Sequence, residues 1–262
     1  MNNLDLLYKI VGPDKAILDL IDFLVGEERE KHNKTEEPKV LFFDLDNVVF
    51  KTNQILTDEW LPKTIWRRFI RDDVREVDMD EFFFNPEGIG IPPRMVKLFR
   101  IGIGMSTSRL TREMRRMKGR GKLIANEDVV ESIRKIREKG VLVVFLTNRP
   151  YWMSKETKKQ VEIVFGKDKR NIILHVRHGH KKADIINDAI SYFSVGLVDD
   201  KIWNLVDLQE CGKLAIFFTN DGENAESVQI AKNGDEIYQL LCSCKFVYAD
   251  KPEGLSLKSI IS

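Results

Sequence analysis

Val40-Leu41-Phe42-Phe43-Asp44-Leu45-Asp46-Asn47 is the stretch from which the rest of the chain can be read. Four apolar residues in a row run straight into two carboxylates. A half-buried strand alternates apolar and polar residues, so a short unbroken apolar run predicts a strand buried on both faces of a parallel sheet. Similar runs recur at 141–146, 172–174, 195–198 and 214–218. Helical spacing fills the intervals. Asn126 predicts an N-cap, Glu127 and Asp128 fall in the first turn, Val129, Ile133 and Ile136 share a face, and Gly140 ends the helix. Residues 154–165 predict a second helix closing at Gly166, and 184–193 a third closing at Gly196. Strand alternating with helix predicts the α/β class, a doubly wound, mainly parallel Rossmann-like sheet.

Chemistry gathers where these strands end. Asp44 and Asp46 are two positions apart, so in extended chain both face the same way, at the sheet edge where open α/β sheets bind ligands. Adjacent acids at the end of an apolar strand repel, and a divalent cation would offset the repulsion. The second run leads into Thr147-Asn148-Arg149, a hydroxyl and backbone N–H groups suited to gripping phosphate oxygens. The fourth leads into Asp199-Asp200. Lys181-Lys182 precede a helical pattern and bring positive charge for an anion.

Phe43-Asp44-Leu45-Asp46-Asn47, Leu146-Thr147-Asn148-Arg149, Lys181-Lys182 and Gly196-Leu197-Val198-Asp199-Asp200 resemble, in order, the four motifs of the haloacid dehalogenase (HAD) superfamily. The resemblance covers about 39–220 and implies a phosphatase. Asp44 is then the nucleophile that forms an aspartyl-phosphate, and Asp46 the general acid and base. Mg²⁺ is the implied cofactor, held by Asp44, the Asp46 carbonyl and Asp199, with Asp200 beside it or acting through water. Thr147, Asn148 and one lysine hold the phosphoryl oxygens, Lys182 favoured over Lys181 because it directly precedes the helix. Arg149 is expected to reach a second anionic group on the substrate. Asn47 stands where the superfamily most often has Gly, and Val48-Val49 where a Thr is usual. Retention of the second acid speaks against a dehalogenase.

Residues 53–122 lack a strand-like run and occupy the place of a cap inserted between the first two strands. Leu56, Trp60, Ile65 and Phe69 predict one helix, and two more are expected near 94–101 and 105–118. The chain thus divides into an N-terminal helical arm, 1–36, an α/β core, 37–52 with 123–262, and a mainly helical cap, 53–122. Over 94–122 there are ten Lys and Arg against the single acid Glu113, while 57–90 carries nine acids and five bases. Either the halves of the cap pair and solvate each other, or the basic half meets phosphate-rich substrate or nucleic acid.

The remaining features bound the reading. Over 262 residues, 42 Lys and Arg nearly balance 41 Asp and Glu, which argues against a globally basic nucleic-acid binder. No run approaches the 18 or so apolar residues of a membrane span. Three cysteines make no disulfide framework and suit a reducing, cytoplasmic setting. The expected partner is a small phosphorylated substrate such as a nucleotide or sugar phosphate. The alternatives are a nucleic-acid end phosphatase, a phosphotransferase or mutase, and a non-catalytic phosphate-binding scaffold on the same fold.

Overall fold

A computed structural model describes residues 39–72, 85–176, 181–189, 194–210, 212–219 and 228–244. The helical arm expected over 1–36 lies outside these residues, as do Phe82 to Phe84, His178, His180 and Cys211.

All five apolar runs are strands: β1 Lys39–Phe43, β2 Leu142–Thr147, β3 Ile172–His175, β4 Ser194–Asp199 and β5 Leu214–Phe218. A sixth, β6 Gln229–Ala231, was not legible, being only three residues long. The sheet order is β3-β2-β1-β4-β5-β6, and every neighbouring pair is parallel. Phe43 is in register with Phe145 on one side and Val198 on the other, so β1, β2 and β4 end at one edge.

The helices are α1 Pro93–Gly119, α2 Glu127–Glu138, α3 Ser154–Phe165, α4 Lys182–Ala189, α5 Trp203–Glu210 and α6 Gly234–Ser243. Strand residues alternate between two apolar clusters. Leu41, Phe43, Val143 and Phe145 join Val129 and Ile133 of α2 and Ile237 of α6. Val40, Phe42, Val144 and Leu146 join Ile186 of α4 and Leu205 and Leu208 of α5. Covering on both faces explains why the strands carry no polar alternation.

Several expectations change. The two helices expected near 94–101 and 105–118 are one helix, α1, 27 residues and about 40 Å long. Gly102 and Gly104 suggest a break, but each costs a helix only about 1 kcal/mol, which packing overrides. Its residues Leu110, Met114 and Met117 belong to the same apolar cluster as the sheet, so insertion and core share one interior. The single helix expected around Leu56 to Phe69 is a run of short turns, Thr52–Gln54, Ile55–Trp60, Leu61–Lys63 and Ile65–Arg68. Gly196 does not end a helix. It lies within β4, where an added Cβ would stand 2.9 Å from Leu41 Cδ1. Asn126 sits at the N-cap of α2 without capping it, because its side chain is used elsewhere.

Candidate active site

β1 stops at Phe43, and Asp44 extends the ladder by one bond, its N–H donating to the Val198 carbonyl at 2.9 Å. The chain then turns, with Phe50 N–H donating to the Leu45 carbonyl at 2.8 Å. Asp46 therefore sits in a turn instead of extending the strand, which removes the simple two-residue alternation. Asn47 has φ of 60°, the left-handed region that Asn tolerates better than most side chains. Its Nδ2 donates to Asp200 Oδ2 at 2.9 Å, and its Oδ1 accepts from Asn53 N–H at 3.1 Å. Asn126 Nδ2 donates to the carbonyls of Asn47 and Val48 at 3.0 and 2.7 Å, pinning the same turn.

Three segments far apart in sequence meet at Lys182. Its Nζ lies 2.7 Å from Asp44 Oδ1 and 2.7 Å from Asp199 Oδ2, and all three side chains are buried. Lys182 opens α4, Asp44 follows β1 and Asp199 ends β4, so parallel strands and one helix start deliver them to one point. Asp199 also accepts from Lys201 N–H at 2.8 Å and from Asn204 Nδ2 at 3.2 and 3.1 Å. Lys181 points elsewhere: exposed, it pairs with Asp207 at 2.5 Å.

Asp44, Asp199 and Asp200 each present an oxygen within 4.8 Å of the others. Burial drives the Asp44 carboxyl well above the usual range; Lys182 works against this, and Asp199, Asp200 and Asp46 add to it. Burial and Asp199 push Asp200 up to about 7. Burial opposes the charge on Lys182, but Asp199 and Asp44 outweigh it and raise its pKa. Lys201 Nζ lies 3.9 Å from Asp200 Oδ2, so three ionised carboxylates face two ammonium groups and one negative charge is left uncompensated. Their hard oxygen donors fit a divalent cation of the Mg²⁺ or Ca²⁺ type, not a site of nitrogen and sulfur ligands.

Asp46 faces a different partner. Arg149 Nε donates to Asp46 Oδ2 at 2.9 Å and Oδ1 at 3.2 Å, and Nη2 donates to Oδ1 at 2.6 Å. Arg149 is 1% exposed, and its guanidinium is turned onto Asp46 and Gln160. Thr147 ends β2 fully buried, and its Oγ1 accepts from Arg149 N–H at 3.2 Å. Asn148 follows it, half-buried, at the strand exit. His175 Nδ1 is 2.8 Å from the Arg149 carbonyl, and burial lowers its pKa, which fits a packing role better than a cationic one.

Comparison with solved structures places the fold. A HAD phosphatase from Thermococcus onnurineus matches with TM-score 0.52 and 16% identity, over 78% of this chain and 97% of that one. A HAD-family hydrolase from Deinococcus radiodurans, solved with bound phosphate and sodium, matches at 0.51 and 12%, over 82% and 100%. A haloacid dehalogenase-like protein from Agrobacterium tumefaciens matches at 0.51 and 13%, over 79% and 99%. The chain has the HAD-superfamily fold. No protein-family model matches the sequence, and no curated protein matches it significantly, so the likeness is one of structure. Within the HAD fold the residues quoted from the sequence converge as Asp44, Lys182, Asp199 and Asp200, with Asp46 and Thr147 alongside. Asn47, Asn126, Asn204 and Gln160 were missed as site residues. Gln160 left a signal: with Thr157 it holds a core position on the buried face of α3.

Proposed function

We propose that the protein is a Mg²⁺-dependent phosphomonoester hydrolase that works through an aspartyl-phosphate on Asp44, with a small phosphorylated metabolite such as a nucleotide or sugar phosphate as substrate. The observation that carries the reading is the Lys182 ammonium held 2.7 Å from both Asp44 and Asp199, with Asp200 beside them. A buried cation next to a nucleophilic carboxylate suits a phosphoryl group, whose charge spreads over three oxygens during transfer.

An Asp44 oxygen attacks phosphorus as the bond to the leaving oxygen breaks. Asp46 gives that oxygen a proton. In the second step Asp46 takes a proton from the water that attacks phosphorus, and the phosphate–Asp44 bond breaks to restore the carboxylate. Lys182 neutralises charge on the transferring group. Thr147 Oγ1 accepts from Arg149 N–H, which leaves its own hydroxyl proton available to a phosphoryl oxygen. Mg²⁺ held by Asp44, the Asp46 carbonyl, Asp199 and Asp200 would polarise the phosphoryl oxygens.

The test is hydrolysis of p-nitrophenyl phosphate with Mg²⁺ and with EDTA, beside Asp44→Asn. Phosphate release by wild type alone, lost in EDTA, is expected. Equal rates in wild type and Asp44→Asn favour the non-catalytic scaffold. A panel of phosphorylated metabolites then identifies the leaving group, and transfer to an acceptor other than water marks a phosphotransferase.

One observation favours a nucleic-acid end as an alternative substrate. Arg109, Arg112 and Arg115 on α1 and Arg120 just past its end are exposed and have no acidic partner among the described residues, whereas Arg116 pairs with Glu113 and Lys122 with Glu59. Binding of an oligonucleotide that weakens steeply with salt supports this reading, and a flat response removes it.

A further inference from the structure

Asp46 is connected to the inserted helix through buried polar groups. Arg149, whose Nε and Nη2 grip Asp46, donates through Nη1 to Gln160 Oε1 at 2.6 Å. Gln160 Nε2 in turn donates to Thr111 Oγ1 at 2.9 Å. The four residues come from four segments: the turn after β1, the exit of β2, the middle of α3 and the middle of α1. Asp46 is 8% exposed, Arg149 1%, Gln160 0% and Thr111 2%. The Phe50 ring covers the guanidinium, 5.6 Å from it.

Stability alone explains this poorly. A buried ion pair gains little over well-packed apolar residues, because both charges must first leave water. Direction is what the arrangement supplies. A guanidinium is a rigid planar fork, and two of its nitrogens on one carboxylate fix the plane of that carboxylate. Gln160 fixes the fork in turn, and Thr111 fixes the amide. Among the described residues Asp46 Oδ2 accepts from Nε alone, which leaves that oxygen a lone pair for a proton.

We propose that Arg149 is a positioning residue for Asp46, and that Gln160 and Thr111 tie its placement to α1, so that the insertion sets how well Asp46 protonates the leaving oxygen. The proposal rests on the phosphatase reading above. It gives the insertion a role beyond covering the site.

The experiment compares wild type with Thr111→Val, Gln160→Met and Arg149→Lys on two substrates. The p-nitrophenolate of p-nitrophenyl phosphate leaves without needing a proton, whereas the alkoxide of glycerol 2-phosphate requires one. The expected result is a fall in kcat/KM on the alkyl ester of about tenfold for Thr111→Val and Gln160→Met and about a hundredfold for Arg149→Lys, with kcat/KM on the aryl ester far less affected, because kcat/KM reports the step in which the ester bond breaks and not the later attack of water that both esters share. The ratio of the two kcat/KM values does not depend on the fraction of protein folded, so it separates misplacement of Asp46 from instability. A wild type inactive on both esters overturns the phosphatase reading and the proposal with it. An active wild type whose variants keep the wild-type ratio leaves the reading standing and overturns the proposal alone.

Discussion

Asn47 shows how much one side chain settles. Its backbone needs positive φ to turn the chain after Asp46, and its amide spans from Asn53 to Asp200. A glycine meets the first requirement and not the second; an alanine meets neither. Asn47→Gly is therefore expected to keep the turn and loosen Asp200. Asn47→Ala adds left-handed strain and should be less stable than the glycine variant by about 1 kcal/mol. Denaturant unfolding of the two variants checks this, and equal stabilities would contradict it. At this scale the sequence was partly legible. The departure from Gly at position 47 was visible, as were the acids and the lysine pair. The direction of Arg149 was not, since its partner Asp46 is 103 positions away and no local pattern announces an inward guanidinium. The choice between Lys182 and Lys181 also needed the fold: one turns into the carboxylates and the other outward to Asp207.

At the scale of elements, apolar runs marked the five long strands because both sheet faces are covered. β6 escaped because three residues carry too little periodicity to be read. It leads into α6, whose first residue approaches α2 very closely. Gly234 N–H donates to Asp128 Oδ2 at 2.7 Å, and Ser132 Oγ donates to the Gly234 carbonyl at 2.6 Å. A Cβ at 234 would stand 2.1 Å from the Asp128 carbonyl oxygen, a backbone atom that no rotamer change can move. Gly234→Ala should thus push α6 off α2 and cost about 1–3 kcal/mol, read as a lower midpoint in denaturant. An unchanged midpoint would mean that the two helices do not pack this closely. The length of α1 was misread for the opposite reason, local glycines outweighing in the sequence a packing that only the fold reveals.

For the whole molecule, the sheet edge concentrates negative charge that folding alone does not offset. Asp200, raised to about 7, keeps a proton in the folded protein that the unfolded chain loses near pH 4. Over that interval the folded state binds more protons, so this group's contribution to stability falls as pH rises. A divalent cation needs the carboxylates ionised and reverses the loss. Mg²⁺ should raise the melting temperature more at pH 8 than at pH 5, relative to EDTA at each pH, and an equal gain at both would contradict the linkage. No helix among the described residues is long and apolar enough to cross a membrane.

The convergence of Asp44 with Lys182, Asp199 and Asp200 is tested most directly by quenching the protein with acid during turnover of a labelled phosphomonoester and mapping the label. A hydroxylamine-labile phosphoryl group on Asp44, absent from Asp44→Asn, is the predicted result. Turnover with no label on Asp44, or labelling that persists in Asp44→Asn, would contradict it.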